Sequence, residues 1–187
     1  SIPKERIQVY FIDNEEYFKR KATFTDENGT LFPDNDERAI FFAKGIVETV
    51  KKLNWSPDII HIHGWMASLV PLYLKKYYAD EPLFSESKVV TSVYSKGFEE
   101  DLNSDLIKKI AFDGIPEENV AALKKPDYNN LLKIAVDYSD AVILASEEIP
   151  EDLNNHIANL QKPVLSYVPF HEFEEAYGNF YNTEVLK

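Results

Sequence analysis

The segment running from Pro57 through Asp58-Ile59-Ile60-His61-Ile62-His63-Gly64-Trp65-Met66 to Leu74 constrains this chain more than any other. Three isoleucines interleaved with histidine over Ile59–His63 read as a buried strand, and the sequence turns at once into the apolar run Met66 to Tyr78, read as a helix. Pro71 falls in the early turns of that helix, where a missing N–H does least harm. A strand that passes directly into a helix is the building unit of parallel α/β sheets, and such sheets bind ligands outside the carboxyl ends of their strands. His63, Gly64 and Trp65 are therefore expected to line a crevice, and Gly64 is where a backbone approaches a ligand with no Cβ in the way.

The rest of the chain repeats the alternation. Strands are expected at Ile7–Ile12, Lys88–Val93, Ala141–Ala145 and Val164–Val168, and helices at 36–54, 103–111, 116–124, Tyr128–Tyr138 and Pro150–Leu160. Asn35 or Asp36 is the expected cap of the first long helix, and Gly45 within it marks a close helix contact. The acidic, aromatic tail from Phe170 reads as a short docking helix. Alternation of this kind predicts a three-layer α/β Rossmann-like domain, a parallel sheet with helices on both faces.

Charge and composition exclude several function classes. The net charge of −12 repels nucleic-acid backbones and anionic lipid. The lysine pairs at 51–52, 75–76, 108–109 and 124–125 are too scattered to form a basic patch. No run of apolar residues is long enough to span a bilayer, and zero cysteines removes disulfides and agrees with a reducing, cytoplasmic compartment. The six glycines include no G-x-G spacing, so dinucleotide and P-loop fingerprints are missing. G-x-S-x-G and H-E-x-x-H are missing too. The carboxylate runs at 99–101, 117–118 and 147–148 read as solvated faces. His61 and His63 leave the same face of their strand, as metal-binding pairs do, but only His156 and His171 remain as further histidines, so no metal site is assigned. Trp65, Tyr94 and Phe98 carry two readings, stacking on sugar rings or core packing.

The central segment resembles the starch and glycogen synthase family, whose acceptor-side domain carries P-D-[VI]-[VI]-H-x-H-D-W-H-[TA]-[AS]-L-x-P-x-Y-L. Val9-Tyr10-Phe11-Ile12-Asp13-Asn14 with Tyr17, Phe18 and Arg20 is similar to the family's V-Y-[FL]-[IV]-D-N-P-E-x-F-x-R. Asp34-Asn35-Asp36-Glu37-Arg38 with Phe42 and Glu48 resembles its D-N-x-x-R-F-x-x-F helix start, and Tyr138 to Val142 with Ser146 its Y-A-D-A-V-x-x-V-S-P strand. The resemblance implies one half of a GT-B fold and transfer of glucose from ADP-glucose or UDP-glucose to an α-1,4-glucan, with retention and without a metal. It implies a single domain over 1–187 that lacks the family's opening strand and K-x-G-G loop.

Three departures bear on chemistry. Gly64 stands at the family's Asp and Met66 at the third His of that motif; Val93 stands at a His that in the family hydrogen-bonds the transferred sugar. No catalytic residue and no cofactor is assigned. The expected substrate-binding set is His63, Gly64, Trp65, Tyr94 and Lys96, for an α-glucan or a sugar nucleotide. Nucleic acid and membrane are not expected partners; a second Rossmann-like domain or a partner synthase is. Three readings follow: a glycosyltransferase fragment inactive alone, a glucan-binding or synthase-regulating module, and an unrelated small-molecule site using His63, Tyr94 and Lys96.

Overall fold

The computed structural model describes residues 7–187. Four strands, β1 (Ile59–Ile62), β2 (Lys88–Val93), β3 (Ala141–Leu144) and β4 (Val164–Leu165), pair in the order β1-β2-β3-β4. Every pairing is parallel, with Ile60 opposite Val89, Thr91 opposite Val142 and Ile143 opposite Leu165. This is the Rossmann-like parallel sheet expected from the alternation, with neighbours in chain order.

Helices α1 (Glu15–Phe18), α2 (Asn35–Lys52), α3 (Val70–Lys76), α4 (Leu106–Phe112), α5 (Tyr128–Asp137), α6 (Glu151–Asn159) and α7 (Phe173–Phe180) complete the chain, together with short 3₁₀ turns and a π turn, Tyr181–Val185, that extends α7. Two-residue alternation divides the strands between two cores. Ile62, Val89, Val93 and Val142 pack with Leu72, Leu131 and Leu153 of the helices into the larger one. Val90, Ala141 and Ile143 point the other way, where Phe180 and Val185 of the tail cover them. The docking helix expected of the tail is thus the second outer layer.

Several boundaries moved for identifiable reasons. The expected helix Met66–Tyr78 is a 3₁₀ turn at Trp65–Ala67 followed by α3 from Val70. In a continuous helix the Pro71 ring would collide with the carbonyl of Ala67, so the chain tightens there and restarts. The segment expected to be a helix at 116–124 is a 3₁₀ helix broken at Val120, whose φ is −130°. Neither Asn35 nor Asp36 caps α2; both lie buried inside its first turn, and the N-cap position falls to Asp34. The Asp34 carboxylate does not cap either, because it is held by the guanidinium of Arg20. A Cβ on Gly45 would lie 3.2 Å from the side chain of Ile12, so the close neighbour there is that side chain rather than a helix.

The strand expected at Ile7–Ile12 does not form as a sheet member. Val9, Tyr10 and Phe11 are exposed, and the stretch is joined to none of the four strands. An apolar run becomes a strand only where a neighbour offers its ladder, and local composition carries no record of that neighbour.

Candidate functional site

Period two on β1 and β2 places His61, His63, Ser92 and Tyr94 on the tail side of the sheet. The rings of His61 and His63 lie 4.0 Å apart, centroid to centroid. His61 is held at both nitrogens, Nε2 at 2.8 Å from Ser92 Oγ and Nδ1 at 2.5 Å from the Tyr181 hydroxyl. Both partners are hydroxyls, able to donate or accept, so either tautomer of a neutral imidazole is satisfied here. His63 Nδ1 lies 2.9 Å from the Tyr94 hydroxyl, and the Tyr94 backbone carbonyl accepts from the Tyr128 hydroxyl at 2.9 Å.

Burial sets the electrostatics. It depresses His61 to about 4, with neighbouring His63 contributing in the same direction, and lowers His63 as well. Burial raises the Tyr94 phenol, with Tyr177 adding to the effect, and pushes Tyr181 up to about 12. Both imidazoles and both phenols are therefore neutral near pH 7. Among the described residues no group of three or more His, Asp or Glu side chains has the geometry to hold a metal.

These groups line one wall of a crevice of about 700 Å³, whose other wall is Tyr167, Phe170, Phe173, Glu174 and Tyr177 of the tail. The five residues singled out from the sequence separate. His63 and Tyr94 meet here, and Gly64 sits at the turn with φ +75° and open space where a Cβ would be. Trp65 crosses to the other side of the sheet, only 5% exposed and packed 4.8 Å from the Phe24 ring and 5.0 Å from that of Phe98. Lys96 lines a separate hollow with Phe98, Asp101, Lys125 and Asp127. Of the two readings for Trp65, core packing is the observed one. The helical spacing of Phe173, Tyr177 and Tyr181 was the signal for the tail wall that sequence reasoning missed.

The depressed His61 couples this site to stability. Between pH 6.5 and about 4 the unfolded chain binds a proton at His61 that the folded chain does not, so stability is fully present above that window and falls as pH drops through it. Denaturation midpoints measured across pH 4–7 are expected to decline in this range, and His61→Gln is expected to flatten that decline. An unchanged slope in the variant would assign the acid sensitivity elsewhere.

A four-stranded parallel α/β sheet with polar groups gathered at its strand ends defines the class, a Rossmann-like domain. The family model for the starch synthase catalytic domain matches residues 1–162. A glycogen synthase of Chlorobium limicola is 37% identical over 155 residues, 82% of this chain and 31% of that protein. Another from Pelodictyon phaeoclathratiforme is 36% identical over a stretch of the same length, and one from Thermotoga maritima is 29% identical over 154 residues. The chain belongs to the starch synthase catalytic-domain family, and it spans about a third of the length of these curated relatives.

Proposed function

We propose that this chain is the acceptor-side half of a GT-B glycosyltransferase of the glycogen synthase kind, a single Rossmann-like unit that engages glucan and does not by itself transfer glucose. The family match supports the glucosyl-transfer context and makes a sugar nucleotide and an α-glucan the plausible substrate classes. One observation carries the second half of the reading. At the two positions where the resemblance implies polar contacts to the sugar stand Gly64, with no side chain, and Val93, buried in the helix-side core; Met66, buried in the same core, replaces a further His of the family's motif.

Removing a preorganised donor aimed at developing charge costs about 2.7–4 kcal/mol in the transition state, or two to three orders of magnitude in rate. Two such losses leave little transfer to observe. His63 and Tyr94, neutral and hydrogen-bonded to each other, are suited to binding hydroxyl groups. A GT-B enzyme works in the cleft between two Rossmann-like domains, so a second domain or a partner synthase belongs to this reading. The lack of cysteine agrees with a reducing, cytoplasmic setting.

The test is incorporation of radiolabelled glucose from ADP-glucose, and separately from UDP-glucose, into glycogen by the purified chain. No signal above the protein-free blank is expected. Incorporation that is abolished by His63→Ala would overturn the reading.

A further inference from the structure

The tail that forms the crevice's second wall lies beyond residue 162, outside the stretch the family model matches. Its residues divide into two sets. Phe180 and Val185 are its buried anchors, 6% exposed each, and fasten it to Val90, Ala141 and Ile143. Phe170, Phe173 and Tyr167 are 84%, 39% and 42% exposed, and face the crevice instead. Rings follow one another along this wall: Phe170 to Phe173 at 5.1 Å, Phe173 to Tyr177 at 5.7 Å, Tyr177 to Tyr181 at 6.3 Å. The series continues across to His61, 5.8 Å from Tyr181. Tyr177 and Tyr181 are half-buried against the second core and so share in the anchoring, but anchoring does not require the exposed rings of Phe170 and Phe173.

Gly178 gives an independent sign. It sits inside α7 and lines the crevice, yet nothing lies within 4 Å of where its Cβ would be. Glycine in a helix interior lowers stability, and no packing contact in the fold calls for it here. What its absent side chain preserves is the open space of the crevice.

We propose that this crevice is a binding site for a neutral oligosaccharide of the α-glucan class, its aromatic wall supplied by the tail. The choice of α-glucan over other neutral sugars rests on the functional reading above; the choice of a neutral sugar does not. Pyranose rings present apolar C–H faces that lie against aromatic rings, and hydroxyl rims that pair with neutral imidazole, phenol and carboxylate. His63, Tyr94 and Glu174 supply those partners. The lining contains no Lys or Arg, and burial keeps both histidines uncharged, so nothing there compensates the phosphates of a sugar nucleotide.

Titration with maltoheptaose, followed by amide NMR shifts and calorimetry, is the test, with ADP-glucose and cellohexaose as parallel probes. Maltoheptaose is expected to move the Gly178 and Tyr94 amides, while ADP-glucose leaves them in place. Phe170→Ala, at an exposed position, is expected to weaken binding about fivefold, the scale of one lost stacking contact. Gly178→Leu is expected to fold at least as well as the parent while filling the crevice and abolishing binding. A folded protein with no shifts at millimolar maltoheptaose, binding untouched by Gly178→Leu, or ADP-glucose acting on the same amides would each overturn the proposal. Equal binding of cellohexaose would overturn the α-glucan assignment. Glucose incorporation in the radiolabel assay would defeat the non-transferring reading and leave the crevice standing.

Discussion

Ile143→Ala is expected to destabilise the protein by about 2–5 kcal/mol, the range for removing a fully buried branched side chain together with the cavity left behind. Ile143 is 0% exposed, on a strand paired on both sides, and its side chain joins Val90 and Ala141 under the tail anchors Phe180 and Val185. The cost thus measures how firmly the tail layer is seated. Ile60→Ala is the internal comparison. On local sequence Ile60 is as interior as Ile143, but it lies on the edge strand β1 and is only half-buried, so its replacement is expected to cost less. Urea denaturation of both variants checks the order. If Ile60→Ala proved the costlier, the tail would not be packed as described.

Lys109→Met is expected to cost about 3 kcal/mol, because it strands a buried carboxylate. Asp36 is 0% exposed in the first turn of α2, and Lys109 Nζ, 2.7 Å from its Oδ2, is its cationic partner; the same ammonium lies 2.7 Å from Glu37. The other Asp36 oxygen has no hydrogen-bond partner, so little remains to compensate the charge once the lysine is gone. The carboxylate's place near the positive end of the α2 dipole recovers only a small part. Asp36→Asn in the Lys109→Met background is expected to restore most of the loss, since it removes the charge that was stranded. Equal stability of the single and double variants would show that the cost lay in packing of the lysine stem.

The Arg20–Asp34 pair illustrates why the first helix start was misread. Asp34-Asn35-Asp36 offers three side chains able to cap a helix, and local chemistry ranks them alike. The fold removes all three: Arg20 takes Asp34, Asn35 turns inward to the Phe24 carbonyl, and Lys109 takes Asp36. All three partners lie outside α2, and one of them, Lys109 of α4, is 73 residues away. Buried Arg38, its guanidinium 5.3 Å from the Phe18 ring and 5.8 Å from that of Phe32, belongs to the same long-range cluster.

Trp65 shows the same limit at the candidate site. Its neighbourhood to His63 in sequence implied a shared crevice, but Gly64 turns the chain at φ +75° and sends the indole into the core between Phe24 and Phe98. Tyr181, 120 residues from His61, is the partner that completes the histidine's hydrogen bonds, and the interval between them encodes nothing of that contact.

By itself the sequence determined the parallel α/β architecture and the junction at His63 and Gly64. These follow from period, from the turn chemistry of glycine and from residue type, which act over a few positions and are written locally. Only the tertiary structure decided which face of the sheet carries the crevice, that the tail builds its second wall, and that Ile7–Ile12 stays outside the sheet. Those outcomes depend on which surfaces meet, and burial, strand pairing and hydrogen-bond closure between distant segments are properties of the assembled chain.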